Sequence, residues 1–409
     1  MDDIFALSRH FLPIYNREYR RYFFDQILMD HRFSILLGQR GVGKTTAMVQ
    51  KILSQYPIHS TEALYVPVDH FLVGNKQLFE IADYFYNHGG KLLCFDEIHK
   101  YNNWAKELKS IYDSFPDLDL IVSGSSALEI QKQSHDLSRR SIVHSLFGLS
   151  LREHLNMHYE TNFEPFSLET ILNHHEEIAL QIITEINKKG LKILALFKTY
   201  LKSGYYPYSL NLKNQDLYYL TIEQGMHATI ENDLIALHPE LTGVSIKKIK
   251  KLLSVITESV PFTLDLSKLK RLTELGDERT LKNYLTYLEK GGILTCLSKF
   301  AKGLKTMRKP DKIFLNNPNQ IYAISSYQKD NIGSIRETCF ICFLKPVSDL
   351  IEIPAQGDFI VNGQYTFEIG GKKKTFNQIK NIANSFLVLD DVELTVGNKI
   401  PLWLFGFLY

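Results

Sequence analysis

A glycine-rich segment near residue 40, which reads GQRGVGKT, restricts the fold of this chain more than any other stretch. Its Gly38, Gly43, Lys44 and Thr45 occupy the fixed positions of the pattern G-x-x-x-x-G-K-S/T. An apolar run, ILL, precedes the segment, and a helix-forming run, AMV, follows it. The pattern therefore predicts a buried strand, a tight turn and a helix that starts at the turn, which is an α/β arrangement.

The same segment is typical of a site for nucleotide phosphates. Glycines let backbone N–H groups close around a phosphate, and the helix N-terminus adds partial positive charge. Lys44 is expected to reach the β- and γ-phosphates, and Thr45 to place its hydroxyl on Mg²⁺. We therefore expect the chain to bind ATP with Mg²⁺. The residues expected to contact the nucleotide are Gly38, Gln39, Arg40, Gly41, Val42, Gly43, Lys44, Thr45 and Thr46.

An acidic pair, Asp96 and Glu97, follows the apolar run at positions 92–95. Two adjacent carboxylates at the end of a buried strand are unfavourable unless a cation neutralises them. Asp96 is expected to hold Mg²⁺ through its water shell, and Glu97 to polarise the attacking water. The alternative is a strand that ends in a solvated acidic turn.

Two later segments contain candidates for contact with the γ-phosphate. The apolar segment LDLIVSG runs into a serine-rich turn, where a hydroxyl of Ser123, Ser125 or Ser126 could sense the γ-phosphate or orient water. The segment DLSRR then brings Arg139 and Arg140. An arginine from the same or a neighbouring subunit can offset the charge that develops in phosphoryl transfer. The alternative for the arginine pair is a solvated turn.

The pattern of strands and helices predicts four domains. Residues 1–160 alternate strand and helix, which predicts a parallel sheet with helices on both faces. Residues 161–243 have helical periodicity and form a lid or connector, and residues 316–409 form a small α/β unit. Residues 244–315 read helix, short strand, helix, helix, strand, as in a winged helix. The strands predicted in the first domain are Phe33–Leu37, Leu64–Val68, Leu92–Phe95, Leu120–Ser123 and Ile142–Phe147.

Charge is concentrated in the predicted winged helix. Residues 245–310 contain fifteen Lys and Arg but six Asp and Glu, whereas the whole chain has a net charge of only +2. Such a patch is typical of salt-sensitive contact with the phosphates of double-stranded DNA. The alternative is a solvated face on a module that binds protein.

Targeting and cysteine signals are weak. No apolar run approaches the length of a membrane span, and the N-terminal MDDIFALSRH has acidic residues where a signal peptide needs basic ones. We therefore expect a cytoplasmic protein with no membrane partner. Cys339 and Cys342 form a C-x-x-C within an apolar run, which favours a buried helix face over a metal or redox site.

The order GQRGVGKT, LLCFDEIHKYNNW, IVSGSSAL, DLSRR and FGLSLREHL resembles the prokaryotic AAA+ ATPases that carry a C-terminal domain of unknown function. These are relatives of the archaeal-type STAND and AAA ATPases, and the resemblance covers nearly the whole chain. It implies an AAA+ core, a helical lid, a winged helix and a C-terminal fold similar to the PD-(D/E)xK, or restriction-endonuclease-like, nucleases. It also implies that Lys44 and Thr45 belong to the Walker A motif, and that Asp96 and Glu97 belong to the Walker B motif. In the same resemblance Ser125 is sensor 1, and Arg140 is the arginine near the nucleotide.

Nuclease chemistry of that kind needs clustered carboxylates around a divalent metal, and a lysine that orients water. The resemblance places these roles on Glu337, Asp358, Glu368 and Lys372. The chain departs from the family's E-x-K pattern, because two glycines follow Ile369 and delay the lysine to Lys372. The two glycines could let the backbone bend and bring Lys372 back to the site. The alternative is a fold that is retained for docking without activity.

Together these features predict an AAA+ ATPase that couples ATP hydrolysis to conformational change on or near DNA. Two alternatives stay open. One is a nucleotide-gated signalling or defence switch that acts on a protein client, and the other is an ATP-dependent nuclease. The sequence also allows a homo-oligomer.

Overall fold

The structure is a computed structural model in which the chain divides into two compact units. The first unit contains residues 1–148 and 231–240, and the second contains residues 149–230 and 241–409. No helix in the described part of the chain is long and apolar enough to cross a membrane. The residues described are 1–24, 31–74, 76–124, 137, 139–212, 214–238, 240–258, 262–263, 266–274, 277–300, 310–324 and 332–409.

The α-helices and β-strands have the following bounds. The helices are α1 (Asp2–Tyr15), α2 (Lys44–Gln55), α3 (Leu78–Asn87), α4 (Trp104–Ser114), α5 (Leu151–Tyr159), α6 (Leu168–Lys188), α7 (Ile193–Ser203), α8 (Gln215–Ala228), α9 (Leu234–Leu237), α10 (Gly243–Thr257), α11 (Leu266–Thr273), α12 (Glu278–Lys290), α13 (Pro318–Ile324) and α14 (Ile332–Leu344). The strands are β1 (Phe33–Gly38), β2 (Ala63–Pro67), β3 (Leu92–Asp96), β4 (Asp119–Gly124), β5 (Ile142–Leu146), β6 (Phe262–Thr263), β7 (Leu294–Leu297), β8 (Lys312–Leu315), β9 (Ile351–Glu352), β10 (Phe359–Val361), β11 (Tyr365–Gly371), β12 (Ser385–Asp390) and β13 (Lys399–Pro401).

The first unit is built on a five-stranded parallel sheet in the order β2-β3-β4-β1-β5. Strands β2 and β3 are buried along their whole length, which explains their continuous apolar sequences. All five predicted strands are present, so the α/β class with a parallel sheet is confirmed. In this order β4 lies between β1 and β3, which brings the residues after β1 and the residues at the end of β3 to one edge.

The second unit begins with helices α5 to α8 and ends with a sheet in the order β13-β12-β11-β10-β9. The start of α5 is tied to the last described residue, because Ser150 Oγ and Arg152 Nε both donate hydrogen bonds to the carbonyl oxygen of Tyr409, at 2.7 and 2.8 Å. Cys339 and Cys342 are buried and reduced on α14, in agreement with the expected buried helix face.

Between these parts in the chain, the described residues of 243–315 form three helices and three short strands. Helices α10, α11 and α12 accompany an antiparallel sheet in the order β6-β8-β7. Strand β6 lies between α10 and α11 in the chain and pairs with β8 rather than with the nearer β7. The segment thus runs helix, strand, helix, helix, strand, strand.

Candidate nucleotide-binding site

The glycine-rich segment forms a turn between β1 and α2, as predicted. Gly41 and Gly43 have φ angles of +80° and +100°, a region that residues with a Cβ rarely adopt. Gly38 is required for a different reason, since a Cβ there would lie 2.4 Å from the carbonyl oxygen of Leu146 on β5. The turn therefore depends on glycine both for its backbone angles and for the close approach of β5.

Lys44 begins α2 and is only 5% exposed. Its Nζ donates hydrogen bonds of 3.0 Å to the carbonyl oxygens of Gly38 and Gln39. Burial lowers the pKa of the Lys44 ammonium, and the carboxylates of Glu97 and Asp96 oppose that shift. A lysine and a helix N-terminus therefore share one turn, an arrangement that favours binding of phosphate.

The Asp96 carboxylate lies at the end of β3 and is held by four hydrogen bonds. Oδ2 accepts from Thr45 Oγ1 at 2.6 Å and from the Tyr65 hydroxyl at 2.7 Å. Oδ1 accepts from Ser123 Oγ and, at 3.1 Å, from the backbone N–H of Glu97. Mg²⁺ prefers oxygen ligands and is usually bound by one or two carboxylates together with substrate phosphates. The carboxylate of Asp96 and the hydroxyl of Thr45 fit that ligand set.

Tyr65 and Ser123 orient Asp96 from the strands on either side of β3. Burial raises the pKa of the Tyr65 hydroxyl well above its ordinary value, and the Asp96 carboxylate raises it further, so the hydroxyl stays a donor. The role of Tyr65 was not predicted, and the only local signal for it is a hydroxyl-bearing residue within the apolar strand ALYVP. Ser125, the expected sensor, lies outside the described residues, whereas Ser123 contacts the site directly.

Glu97 has an unusual backbone conformation for a residue with a side chain. Its φ angle is +55°, in the left-handed region, which costs about 1 to 3 kcal/mol for a residue other than glycine. Its N–H also donates to Ser123 Oγ at 3.2 Å. Among the described residues, Glu97 Oε2 accepts no hydrogen bond, and His99 Nε2 lies 3.6 Å away. The expected catalytic carboxylate is therefore partly buried at the end of β3, beside Asp96.

Arg40 of the glycine-rich turn binds a residue that sequence reasoning assigned no role. Its guanidinium donates to both carboxylate oxygens of Asp233, from Nη2 to Oδ1 at 2.6 Å and from Nε to Oδ2 at 3.2 Å. His99 Nε2 lies 3.8 Å from Asp233 Oδ1. Burial alone would raise the pKa of Asp233, but hydrogen bonds from His99 and Arg40 outweigh it and hold that pKa below its ordinary value.

The segment that brings Asp233 to this site belongs to the first unit although it follows the helices of the second in the chain. Asp233 ends a π-helical turn, Thr229–Asp233, a rare conformation that is frequent at functional sites. No local pattern in the sequence identifies Asp233, because its partners Arg40 and His99 are more than a hundred residues away in the chain.

Arg140 lies away from the glycine-rich turn of its own chain. It forms a two-pronged ion pair with Asp113 at the end of α4, with distances of 2.8 and 2.9 Å. Strand β5 begins just after Arg140 and pairs Ile142 with Ser34, four residues or about 13 Å before Gly38. The neighbouring Arg139 is exposed. The structure therefore does not bring this pair to its own nucleotide site, and a role toward a neighbouring copy stays a prediction.

The lysine of the predicted nuclease-like site differs from the expected one. Lys374 Nζ, rather than Lys372, donates to Glu368 Oε1, at 2.5 Å. A Cβ on Gly370 would lie 2.5 Å from the Cβ of Lys374, so the Lys374 side chain crosses the space that a side chain at Gly370 would fill. Lys374 thus contacts Glu368 after the glycine pair, and a role for Lys372 stays a prediction.

The three carboxylates of that predicted site each have a protein partner. Asp358 Oδ2 accepts from the N–H of Ile369 at 2.7 Å, and Glu337 Oε2 lies 3.5 Å from Lys312 Nζ. Burial raises the pKa of both Glu337 and Glu368, and the Asp358 carboxylate adds to both shifts. Within the described ranges, no group of three or more His, Cys, Asp or Glu side chains is placed to hold a metal ion.

The basic segment is described only in part. Residues 301–309, which include four of its fifteen basic residues, lie outside the described ranges. Among the others, Lys251 pairs with Glu274 at 2.6 Å, Lys282 with Glu278 at 2.9 Å and Lys299 with Asp311 at 3.8 Å. The first two pairs lower the net charge that α10 and α12 present to solvent.

The chain is similar to an uncharacterized protein of Methanocaldococcus jannaschii, with 25% identity over 97% of this chain and 90% of that protein. Among solved structures, PCH-2 of C. elegans is 12% identical, covering 69% of this chain and 68% of that chain with a TM-score of 0.25. A DNA replication initiation factor is 14% identical, covering 70% and 88% with a TM-score of 0.27. DnaA of Aquifex aeolicus bound to AMPPCP is 12% identical, covering 65% and 86% with a TM-score of 0.26.

Two family models match separate parts of the chain. Residues 194–330 match a domain of unknown function (DUF8612). Residues 30–155 match the AAA domain model, and this range contains the glycine-rich turn, Tyr65, Asp96, Glu97 and Ser123. The match supports a P-loop ATPase domain of the AAA type at the site that these residues form.

Proposed function

We propose that this protein binds ATP with Mg²⁺ and hydrolyses it to drive conformational change. The observation that carries the proposal is the hydrogen bond between Thr45 Oγ1 and Asp96 Oδ2, which joins the two expected Mg²⁺ ligands at 2.6 Å. These ligands lie beside a glycine turn and a buried lysine, Lys44. The combination supports a nucleoside triphosphate with its metal ion better than either part alone would.

Each residue has a distinct part in the proposed reaction. Backbone N–H groups of the turn and the Lys44 ammonium bind the phosphates, and Thr45 and Asp96 hold Mg²⁺. When bound, the metal ion neutralises charge on the phosphate oxygens. Glu97 orients the attacking water and accepts a proton from it as the bond from water oxygen to the γ-phosphorus forms and the bond to the leaving ADP oxygen breaks. Tyr65 and Ser123 keep Asp96 in place throughout.

The test is isothermal titration of ATP and Mg²⁺ into wild-type protein and into Lys44→Ala. We expect saturable binding by the wild type and at least about a 100-fold loss of affinity in the variant, because the buried ammonium supplies charge-assisted contacts to the phosphates. Lys51→Ala, a change on the same helix α2, is the matched control and should retain binding. Equal affinity of Lys44→Ala and wild type would overturn the proposed site.

We further propose that residues 244–315 are a winged helix that contacts double-stranded DNA. The order helix, strand, helix, helix, strand, strand and the sheet order β6-β8-β7 support this assignment, together with the local excess of basic residues. The test is retention on duplex DNA as a function of salt. Retention that falls steeply with salt, and falls further in Lys247→Ala with Lys248→Ala, supports DNA contact. Absence of retention at low salt would favour a switch that acts on a protein client.

A further inference from the structure

The site contains a second set of residues beside the expected ATPase residues. We propose that Asp233 is a positioning residue that, through His99, holds the Glu97 carboxylate in place for ATP hydrolysis. This inference rests on the proposed ATPase function and adds to it a residue from a distant segment of the chain. Its basis is the line of side chains Arg40, Asp233, His99 and Glu97 in the first unit.

Asp233 lies at a buried position where an ionised carboxylate is energetically unfavourable. Its side chain is only 2% exposed, and a buried charge destabilises a protein unless it is paired and hydrogen-bonded. The two-pronged bond from Arg40 supplies that pairing. The same carboxylate oxygen that accepts the shorter of these bonds, Oδ1, also faces His99. Asp233 therefore connects the glycine-rich turn to the imidazole.

His99 connects Asp233 to Glu97. Its side chain is fully buried, and Nε2 lies between the two carboxylates, 3.8 Å from Asp233 Oδ1 and 3.6 Å from Glu97 Oε2. The left-handed backbone at Glu97 turns the chain from β3 into the short 3-10 turn Ile98–Lys100, which carries His99. This local strain thus places a buried imidazole against the carboxylate that is expected to orient water.

The consequence for the reaction is specific to turnover. Lys44 and the backbone amides supply the phosphate contacts, and asparagine at position 233 keeps an oxygen that can accept a hydrogen bond from Arg40, so Asp233→Asn should leave ATP affinity nearly unchanged. Neutralising Asp233 removes the charge that keeps His99 in place, so the Glu97 carboxylate is no longer held by a fixed imidazole. A base that must lie within hydrogen-bond reach of water loses efficiency when its position is no longer held.

The experiment uses the full chain with Asp233→Asn, which keeps the size of the side chain and removes its charge. Single-turnover ATP hydrolysis should slow by about 10-fold or more at saturating ATP, with the Kd for ATP changed by less than about 3-fold. The matched control is Asp390→Asn in the second unit, where Asp390 also pairs with a partly buried arginine, Arg336, at 2.8 Å. That control should hydrolyse ATP at the wild-type rate.

A double-mutant cycle separates positioning from a general structural effect. If Asp233 acts through Glu97, then Asp233→Asn slows the wild type but adds nothing to Glu97→Gln. Thermal unfolding is measured for each variant, and if Asp233→Asn unfolds early, His99→Phe replaces it in the same cycle. Independent, additive losses in the cycle would overturn the inference, as would a loss of ATP affinity equal to the loss of rate.

The outcomes also separate this inference from the function on which it rests. Wild-type protein that binds ATP and never hydrolyses it would overturn the proposed ATPase function together with the role of Asp233. Wild-type hydrolysis that persists unchanged in both Asp233→Asn and His99→Phe would overturn the positioning role alone.

Discussion

The hydroxyl of Thr45 donates a 2.6 Å hydrogen bond to Asp96 Oδ2, although the two residues are 51 positions apart in the chain. This contact exists because β1 and β3 lie on either side of β4 and point the same way. The residues that follow one strand and the last residue of the other then meet at the carboxyl edge of the sheet. The proposed chemistry depends on this juxtaposition.

Glu97→Gln should retain ATP binding and lose turnover. The amide cannot accept a proton from the attacking water, and loss of such a group typically costs about 100-fold or more in rate. Hydrolysis is measured by phosphate release and binding by calorimetry, with the exposed Glu62→Gln as the control. Turnover in Glu97→Gln close to that of Glu62→Gln would show that another residue orients the water.

Tyr65→Phe should weaken the response to Mg²⁺ while the fold is retained. The change removes one of the two donors to Asp96 Oδ2, and loss of such an outer partner typically weakens metal binding by about 10-fold or more. The measurement is ATP hydrolysis over a range of Mg²⁺ concentrations. Tyr86→Phe is the control, because the contact of the Tyr86 hydroxyl with Asp117 is exposed and long, at 3.5 Å. Identical Mg²⁺ dependence of the two variants would contradict the role of Tyr65.

Gly38→Ala and Gly225→Ala should change stability in opposite directions. A Cβ at Gly38 would lie 2.4 Å from the backbone oxygen of Leu146, so the variant must displace β5 and should lose ATP binding. At Gly225, inside α8, a Cβ meets no atom of the described residues within 4 Å. Alanine in that helix should stabilise the chain by about 0.5 to 1 kcal/mol. Thermal unfolding and ATP titration of both variants check the pair.

Stability should fall as the pH falls from about 6.5 toward about 3, and His154 should account for part of the loss. Burial, with a smaller effect of His158, lowers the pKa of His154 to about 3. Below about pH 6.5, the ordinary pKa of histidine, His154 therefore binds a proton in the unfolded chain but stays neutral in the folded chain. The contribution of His154 to the free energy of unfolding is therefore complete above pH 6.5 and declines below it. Between pH 7 and pH 5 the loss from this residue is about 2 kcal/mol.

Urea unfolding at pH 7 and pH 5 tests this prediction with His154→Phe as the comparison. The variant keeps an aromatic ring but does not titrate, so its free energy of unfolding should depend less on pH than that of the wild type. An equal pH dependence in both proteins would assign the acid sensitivity to other groups.

Short sequence patterns predicted those features of the protein whose physical cause lies within a few neighbouring residues. Glycine at Gly41 and Gly43 permits positive φ angles, and an apolar run followed by Asp96 and Glu97 predicts a buried strand that ends in carboxylates. These patterns predict the strands, the turn and the parallel sheet. They also identify Lys44 as a candidate phosphate contact and Thr45 as a candidate Mg²⁺ ligand.

Tertiary structure alone decided which distant side chains meet at the site. Asp233 contacts Arg40 across 193 positions, and Tyr65 reaches Asp96 because β2 pairs with β3. Lys374 reaches Glu368 because Gly370 leaves room for its side chain. Each of these contacts depends on the order of the strands or on close approach of the backbone. The spacing of residues in a short motif predicts neither strand order nor backbone approach. The sequence therefore predicted the glycine-rich turn and the acidic pair, while the fold selected the side chains that contact Asp96 and Glu97.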